Sequence, residues 1–275
     1  MSRPPAETGH RGPLLCAEAI RLGYGNRTIV ENLDLDIHAG DFKVIVGPNG
    51  CGKTTLLKAF ARVNRPPAPT ITLDGEPVAR LRGRTMARRV SLLPQGAVAP
   101  EGITVGELVA RGRHPHHTLL RQWSPADDVA ISAALERTRL LGSEQTPVAS
   151  LSGGQRQRAW LAMVLAQDTD IILLDEPTTF LDIAHQYDLL ELFAELNREG
   201  RTIVAVLHDL NQAARFASDL VVMKEGAIRA HGTPRSILTS ELVHGIFGLG
   251  AEIMDDPQAG TPMVVPHLRA GVGDD

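Results

Sequence analysis

Gly47-Pro48-Asn49-Gly50-Cys51-Gly52-Lys53-Thr54-Thr55 decides the fold. The segment has the form G-x-x-x-x-G-K-[ST], a loop that cradles phosphate groups. Its glycines let the backbone curl with N–H groups facing inward. A helix opening near Lys53 adds the positive end of its dipole. Lys53 can reach the β- and γ-phosphates of a nucleotide, and the Thr54 hydroxyl can ligate Mg²⁺. Gly47, Asn49, Gly50, Cys51, Gly52, Lys53, Thr54 and Thr55 are therefore candidate nucleotide-binding residues. The context agrees. Phe42 to Val46 is a short apolar run that reads as a buried strand, and Thr54 to Ala61 reads as a helix.

Further along, apolar runs at Val90–Leu93, Ile171–Leu174, Thr202–Leu207 and Leu220–Met223 read as strands. Helical patterns at Gln155–Gln167 and Ala184–Asn197 lie between them, and Gly200 follows the second as a stop signal. Alternation of this kind predicts a mostly parallel sheet with helices on both faces. Lys224-Glu225-Gly226 reads as a turn into one more short strand. Upstream, Leu33 to Ile37 alternates apolar and acidic residues like a half-buried strand.

Between Gln95 and Ser150 no strand signal stands out. Thr104–Arg111 and Asp127–Leu141 look helical, the second with Ser124 as N-cap and Pro125 at the first helical position. This stretch is expected to form an all-helical insertion, about residues 96–154.

Ile171-Ile172-Leu173-Leu174 ends in Asp175-Glu176. A buried strand carries Asp175 to the carboxyl edge of the sheet, where it can hold the Mg²⁺ shell. Glu176 is then placed to polarise an attacking water as general base. Alone, such a strand end is a weak signal; coupled to the phosphate cradle it completes an NTPase site.

Bulk properties limit the alternatives. The chain has 275 residues, 43% hydrophobic and 22% charged, enough for a large core without metal or disulfide staples. The net charge of −4 and only 4% aromatic residues argue against a nucleic-acid partner. The two cysteines, Cys16 and Cys51, form no disulfide framework and suit a reducing compartment. Cys51, beside a helix N-terminus and Lys53, is expected to carry a lowered thiol pKa and to be alkylated unless MgATP protects it, the plain alternative being an inert small residue filling a variable position of the loop. No run approaches the ~20 apolar residues of a membrane span. Residues 1–13 lack the apolar core of a signal peptide and read as a flexible tail. Residues 251–275 read as an extension in which a final strand between Asp255 and Pro266 is conceivable and Gly271–Asp275 is disordered.

Leu151-Ser152-Gly153-Gly154-Gln155 lies between the cradle and the carboxylate strand, with Arg156-Gln157-Arg158 following. In isolation it would serve as a Ser-Gly turn capping a helix. In this position it resembles the signature motif of the ABC ATPase family. Tyr24 upstream resembles the aromatic that stacks on adenine. Gln95 resembles the Q-loop glutamine that touches Mg²⁺ and the permease. Leu181-Asp182 resembles the D-loop, and His208 the switch histidine at the γ-phosphate. Taken singly, Tyr24 could be a turn aromatic, Gln95 a loop residue and His208 a strand-end histidine. The order of the motifs carries the resemblance, which covers roughly Leu14 to Gly250.

The resemblance implies an α/β fold: a P-loop NTPase (RecA-like) core with a small N-terminal antiparallel β subdomain and an inserted α-helical subdomain. The ABC ATPase domain would then span residues 14–250. It also implies a catalytic set of Glu176, His208 and Lys53, and a metal set of Thr54, Gln95 and Asp175. Nucleotide contacts would come from the cradle with Tyr24 and Gln95, and from Ser152, Gly153, Gly154, Gln155 and Asp182. Two copies would dock head to tail around ATP and Mg²⁺, on integral-membrane permease subunits at the cytoplasmic face of a bacterial membrane, with a substrate-binding protein acting indirectly.

Two local stretches, Thr104–His116 and Pro177–Gln186, resemble the ATPases of bacterial ferric-siderophore, haem and cobalamin importers. A ferric siderophore is the expected cargo, with haem and cobalamin behind it. An exporter subunit is an alternative, and a non-transport ABC ATPase a more distant one. The histidine-rich stretch His114–His117 is assigned to a loop near the permease rather than to a metal.

Overall fold

The computed structural model describes residues 12, 14–25, 27–64, 70–118, 123–179 and 181–267. Most of the N-terminal tail and Gly271–Asp275 lie outside the described residues, as does Phe180. In chain order, β1 (Leu15–Tyr24) and β2 (Arg27–Ile37) precede β3 (Phe42–Val46) and α1 (Lys53–Phe60). Next come β4 (Ile71–Leu73), β5 (Glu76–Pro77), α2 (Gly83–Ala87) and β6 (Val90–Leu93). The helical stretch holds α3 (Val105–Ala110), α4 (Pro125–Arg137) and the start of α5 (Gly153–Ala166). Then follow β7 (Ile171–Asp175), α6 (Ile183–Arg198), β8 (Thr202–Val206), α7 (Leu210–Phe216), β9 (Asp219–Lys224) and β10 (Ala227–Gly232). The described chain closes with α8 (Pro234–Ile237), α9 (Ser240–Phe247), β11 (Ala251–Asp255) and β12 (Pro262–Pro266).

The central sheet has the order β10-β9-β3-β8-β7-β6, parallel except for the β9–β10 hairpin. A strand buried on both faces reads as a continuous apolar run, because its side chains alternate between two cores. β7 shows this directly. Ile171 and Leu173 join the core on the α1 side with Leu57 and Phe60, whereas Ile172 and Leu174 join the opposite core with Leu190 and Phe193. The antiparallel sheet β2-β1-β4-β5 covers the α1 side. A third apolar cluster unites α3, α4 and α5 through Leu108, Leu135 and Ala162.

The expected helix over Asp127–Leu141 is found as α4, shifted toward its N-terminus. The Ser124 backbone N–H and hydroxyl both donate to Asp127, at 2.9 and 2.8 Å, and fix the start. The helix stops at Arg137 because Arg139 turns left-handed with φ 56° and the Thr138 hydroxyl donates to Ala134 O at 2.8 Å. The helix read over Thr104–Arg111 is α3, capped reciprocally by Thr104 and Glu107, and it passes into a 3₁₀ turn over Arg111–His116. There the His116 ring nitrogen lies 2.8 Å from Gln167 O, and the His117 ring packs against Trp123. Residues 251–266 hold a complete antiparallel hairpin rather than a single strand. No described helix is long and apolar enough to cross a membrane.

Candidate functional site

Four neighbouring parallel strands, β3, β8, β7 and β6, end on one edge of the sheet, and each delivers a segment picked out from the sequence. β3 runs into the glycine loop, β8 into Leu207-His208, β7 into Asp175-Glu176, and β6 into Pro94-Gln95. Ligands in open α/β sheets bind at this edge, outside the carboxyl ends of the strands.

The cradle is held from behind by the β9–β10 turn. Gly226 N–H donates to Cys51 O at 3.1 Å. Gly47 has φ 152°, and a Cβ there would lie 2.1 Å from Met223 O, so only glycine permits this approach of loop to strand. Lys53 is buried at 5% exposure, and its ammonium donates to Gly47 O at 2.8 Å and Pro48 O at 3.0 Å. It is thereby folded inside the loop, at the first turn of α1.

The Thr54 hydroxyl donates to Asp175 Oδ1 at 2.8 Å, which joins the helix after β3 to the end of β7 across the intervening β8. Asp175 is fully buried, and its second oxygen, Oδ2, has no hydrogen-bond partner. Burial raises its pKa above the ordinary carboxylate range; the Thr54 bond and the nearby Lys58 charge oppose that shift. A buried carboxylate oxygen left free beside a hydroxyl is a donor set of hard oxygens. It fits a small divalent cation such as Mg²⁺.

Glu176 sits in the left-handed region at φ 52°, unusual for a residue with a side chain. The turn aims its carboxylate sideways along the sheet edge. Oε1 lies 2.6 Å from His208 Nε2. Oε2 accepts from Gln95 Nε2 and from the Thr179 hydroxyl, the latter at 3.4 Å. Glu176, His208 and Gln95 thus meet although they lie on three different strand ends.

Other expected residues stand apart from this cluster. Ser152 caps α5: its hydroxyl accepts from Gln155 N–H at 3.2 Å, while Ser152 N–H donates to Gln155 Oε1 at 3.0 Å. Gly153 begins the helix, and Gly154 approaches Leu181. No hydrogen bond or ion pair among the described residues joins Ser152–Gln155 to the glycine loop. Asp182 caps α6, where the His185 backbone N–H at 2.9 Å and then its ring lower the carboxyl pKa. Tyr24 is half exposed at the end of β1, and its hydroxyl accepts from Asn64 at 2.8 Å.

One expectation fails on physical grounds. Cys51 is buried at 4% exposure, and desolvation raises its thiol pKa by more than Lys53 and the backbone N–H groups lower it. The thiol packs inward as a small apolar filler and is not an activated nucleophile. Other members of the site escaped the sequence reading. Thr179, inside the Pro177–Gln186 stretch, carries no distinguishing signal in the sequence, yet its hydroxyl reaches Glu176. Asp209 caps α7 directly after His208, accepting from the backbone N–H groups of Asn211 and Gln212 at 2.8 and 2.9 Å. An Asp one residue before an apolar-periodic stretch was the available signal.

A glycine cradle on a parallel-sheet edge, with Thr54 bonded to Asp175 and a carboxylate–histidine pair beside them, defines a P-loop nucleoside triphosphatase. The family model described as ABC transporter matches residues 30–179. The chain is 54% identical over 256 residues to the ferric enterobactin transport ATP-binding protein FepC of Escherichia coli (strain K12), covering 93% of this chain and 94% of FepC. Among solved structures it resembles an inward-facing metal-chelate type ABC transporter, with a TM-score of 0.79 at 28% identity over 93% of this chain and 98% of that one. It also resembles a dimeric bacterial ABC transporter cassette, with a TM-score of 0.71 at 25% identity over 80% and 98%. The chain belongs to the ABC transporter family, as an ATP-binding and ATP-hydrolysing subunit of an importer.

Proposed function

We propose that this subunit powers uptake of a ferric siderophore through separate permease chains. The observation that carries the cargo class is the near full-length similarity to FepC, supported by the two stretches Thr104–His116 and Pro177–Gln186. The helical insertion, about residues 96–154 within an ATPase domain of residues 14–250, must fit its own permease. Its surface therefore reports the permease class. The chain would work from the cytoplasmic face of the membrane, with residues 251–275 as an appended extension.

The proposed chemistry is attack of a water oxygen on the γ-phosphorus of ATP, with cleavage of the β–γ bridging bond and departure of ADP. Glu176 takes the water proton. His208 holds the Glu176 carboxylate on one side and the γ-phosphate on the other. Lys53 leaves its carbonyl partners for the β- and γ-phosphates, and the N–H groups of Gly50, Cys51, Gly52, Thr54 and Thr55, the Cys51 one released from its long bond to Pro48 O, bind the remaining phosphate oxygens with Asn49. Thr54, Asp175 and Gln95 would hold Mg²⁺, which when bound neutralises phosphate charge. Tyr24 packs on the adenine.

Ser152, Gly153, Gly154 and Gln155 are displayed at the start of α5, away from the cradle of their own chain. They serve the nucleotide of a second copy, with Asp182 near the same junction. ATP then binds the closed dimer better than the open one, and hydrolysis releases it. The test is uptake of radiolabelled ferric siderophore, haem and cobalamin in cells lacking the gene. Loss of ferric-siderophore uptake, restored by wild type but not by Lys53→Ala, supports the reading. Intact uptake of all three contradicts it.

A further inference from the structure

We infer that Asn211 is a positioning residue through which the C-terminal hairpin β11–β12 sets His208 against Glu176. The Asn211 side-chain amide bonds both backbone groups of one hairpin residue. Val264 N–H donates to Asn211 Oδ1 at 2.7 Å, and Asn211 Nδ2 donates to Val264 O at 3.2 Å. The same residue's backbone N–H is bound by the Asp209 carboxylate at 2.8 Å, and Asp209 follows His208 directly. A continuous chain of contacts therefore runs from the hairpin through Asn211 and the α7 cap to the histidine, and on across 2.6 Å to Glu176.

α7 has only seven residues, so its placement comes from tertiary contacts rather than from its own stability. The hairpin supplies contacts at both ends. Val264 and Ala251 are buried in the core that holds Ala213 and Ala214, and at the last turn Arg215 pairs with Asp256 at 3.1 Å. On its other side Gln212 donates to Gln186 of α6 at 2.6 Å. A hairpin needed only to cover apolar surface would not have to hold a side-chain amide by two bonds next to the catalytic cap.

This inference rests on the proposed role of His208, and its failure is separable. If His208→Ala retains full turnover, the role fails; if His208→Ala is impaired and Asn211→Ala is not, only the present inference fails. The experiment is steady-state ATP hydrolysis by the full-length chain with Mg²⁺, each variant assayed well below its own unfolding temperature. Asn211→Ala breaks the link from one end. Val264→Pro breaks it from the other, since the Val264 N–H faces Asn211 and an edge-strand proline is tolerated. Both should lower kcat about 5- to 50-fold, the scale of a small misplacement of a catalytic group, with KM for ATP within about twofold. Asn211→Asp keeps the acceptor for Val264 N–H but sets a carboxylate oxygen where Nδ2 donates to Val264 O, and should recover at most part of the lost kcat. Wild-type kcat in Asn211→Ala or Val264→Pro, or a change confined to KM, would overturn the inference.

Discussion

His208 Nε2 lies 2.6 Å from Glu176 Oε1, although the two residues leave different strands of the sheet. The pairing orients a carboxylate that otherwise projects from a left-handed turn at φ 52°. His208→Ala should therefore cut steady-state turnover by about 10²-fold or more while leaving ATP binding within a fewfold of wild type. Hydrolysis rates alongside equilibrium binding of a fluorescent ATP analogue check this.

Gly47 cannot accept a side chain. A Cβ would meet Met223 O at 2.1 Å, and this contact is to backbone that cannot swing aside. Gly47→Ala should push the loop off β9, weaken ATP binding by at least about tenfold and lower the unfolding temperature, for a strain of roughly 1–3 kcal/mol. Isothermal titration and thermal denaturation read both effects.

Cys51 should resist alkylation. Burial raises its thiol pKa, so little thiolate exists at neutral pH to react. Iodoacetamide labelling followed by mass spectrometry should show negligible Cys51 modification in the folded chain, with or without MgATP. Rapid labelling that MgATP suppresses would restore the reactive thiol expected from the sequence.

Arg113 and Asp127 form an almost fully buried ion pair at 2.8 Å in the helical insertion. Burial pushes the Asp127 carboxyl up, but hydrogen bonds from Arg113 and Ser124 and the Arg113 charge outweigh it and hold the pKa at about 2. The folded value lies below the ordinary one. The stability it contributes is therefore present above about pH 4 and lost as pH falls toward about 2. Asp127→Asn should flatten that part of the acid-unfolding curve. Arg113→Met leaves the carboxylate buried without its guanidinium partner, held only by the two Ser124 hydrogen bonds with His117 Nε2 3.7 Å away, and should destabilise the chain by up to about 3 kcal/mol at neutral pH in urea unfolding.

The sheet edge was legible from sequence because its strands are short apolar runs that end in chemically distinctive residues. Phe42–Val46 ends at the glycine loop and Ile171–Leu174 at two carboxylates. β1 was not legible. A bulge at Ala19, with φ 44°, shifts the buried positions from Leu15 and Ala17 to Ile20 and Leu22, and Cys16 is buried as well, so no single alternation runs along the strand. Cys51 misled because sequence proximity to Lys53 says nothing of desolvation, which depends on burial in the core that Cys51 shares with residues distant in the chain such as Met223. The Asn211–Val264 link is invisible for the same reason: it spans 53 residues and uses only backbone atoms of the partner.

Retention of ATP by Glu176→Gln tests the central claim most directly. The claim is that Glu176 drives hydrolysis of nucleotide held between the cradle of one copy and the Ser152–Gln155 segment of another. The full-length variant is mixed with MgATP, separated by size, and its mass and bound nucleotide are measured. The predicted result is a dimer carrying two unhydrolysed ATP molecules, with turnover reduced about 10²–10⁴-fold. That dimer should disappear when Ser152→Arg is added. Turnover near the wild-type rate, or a monomer carrying its own ATP, would contradict it.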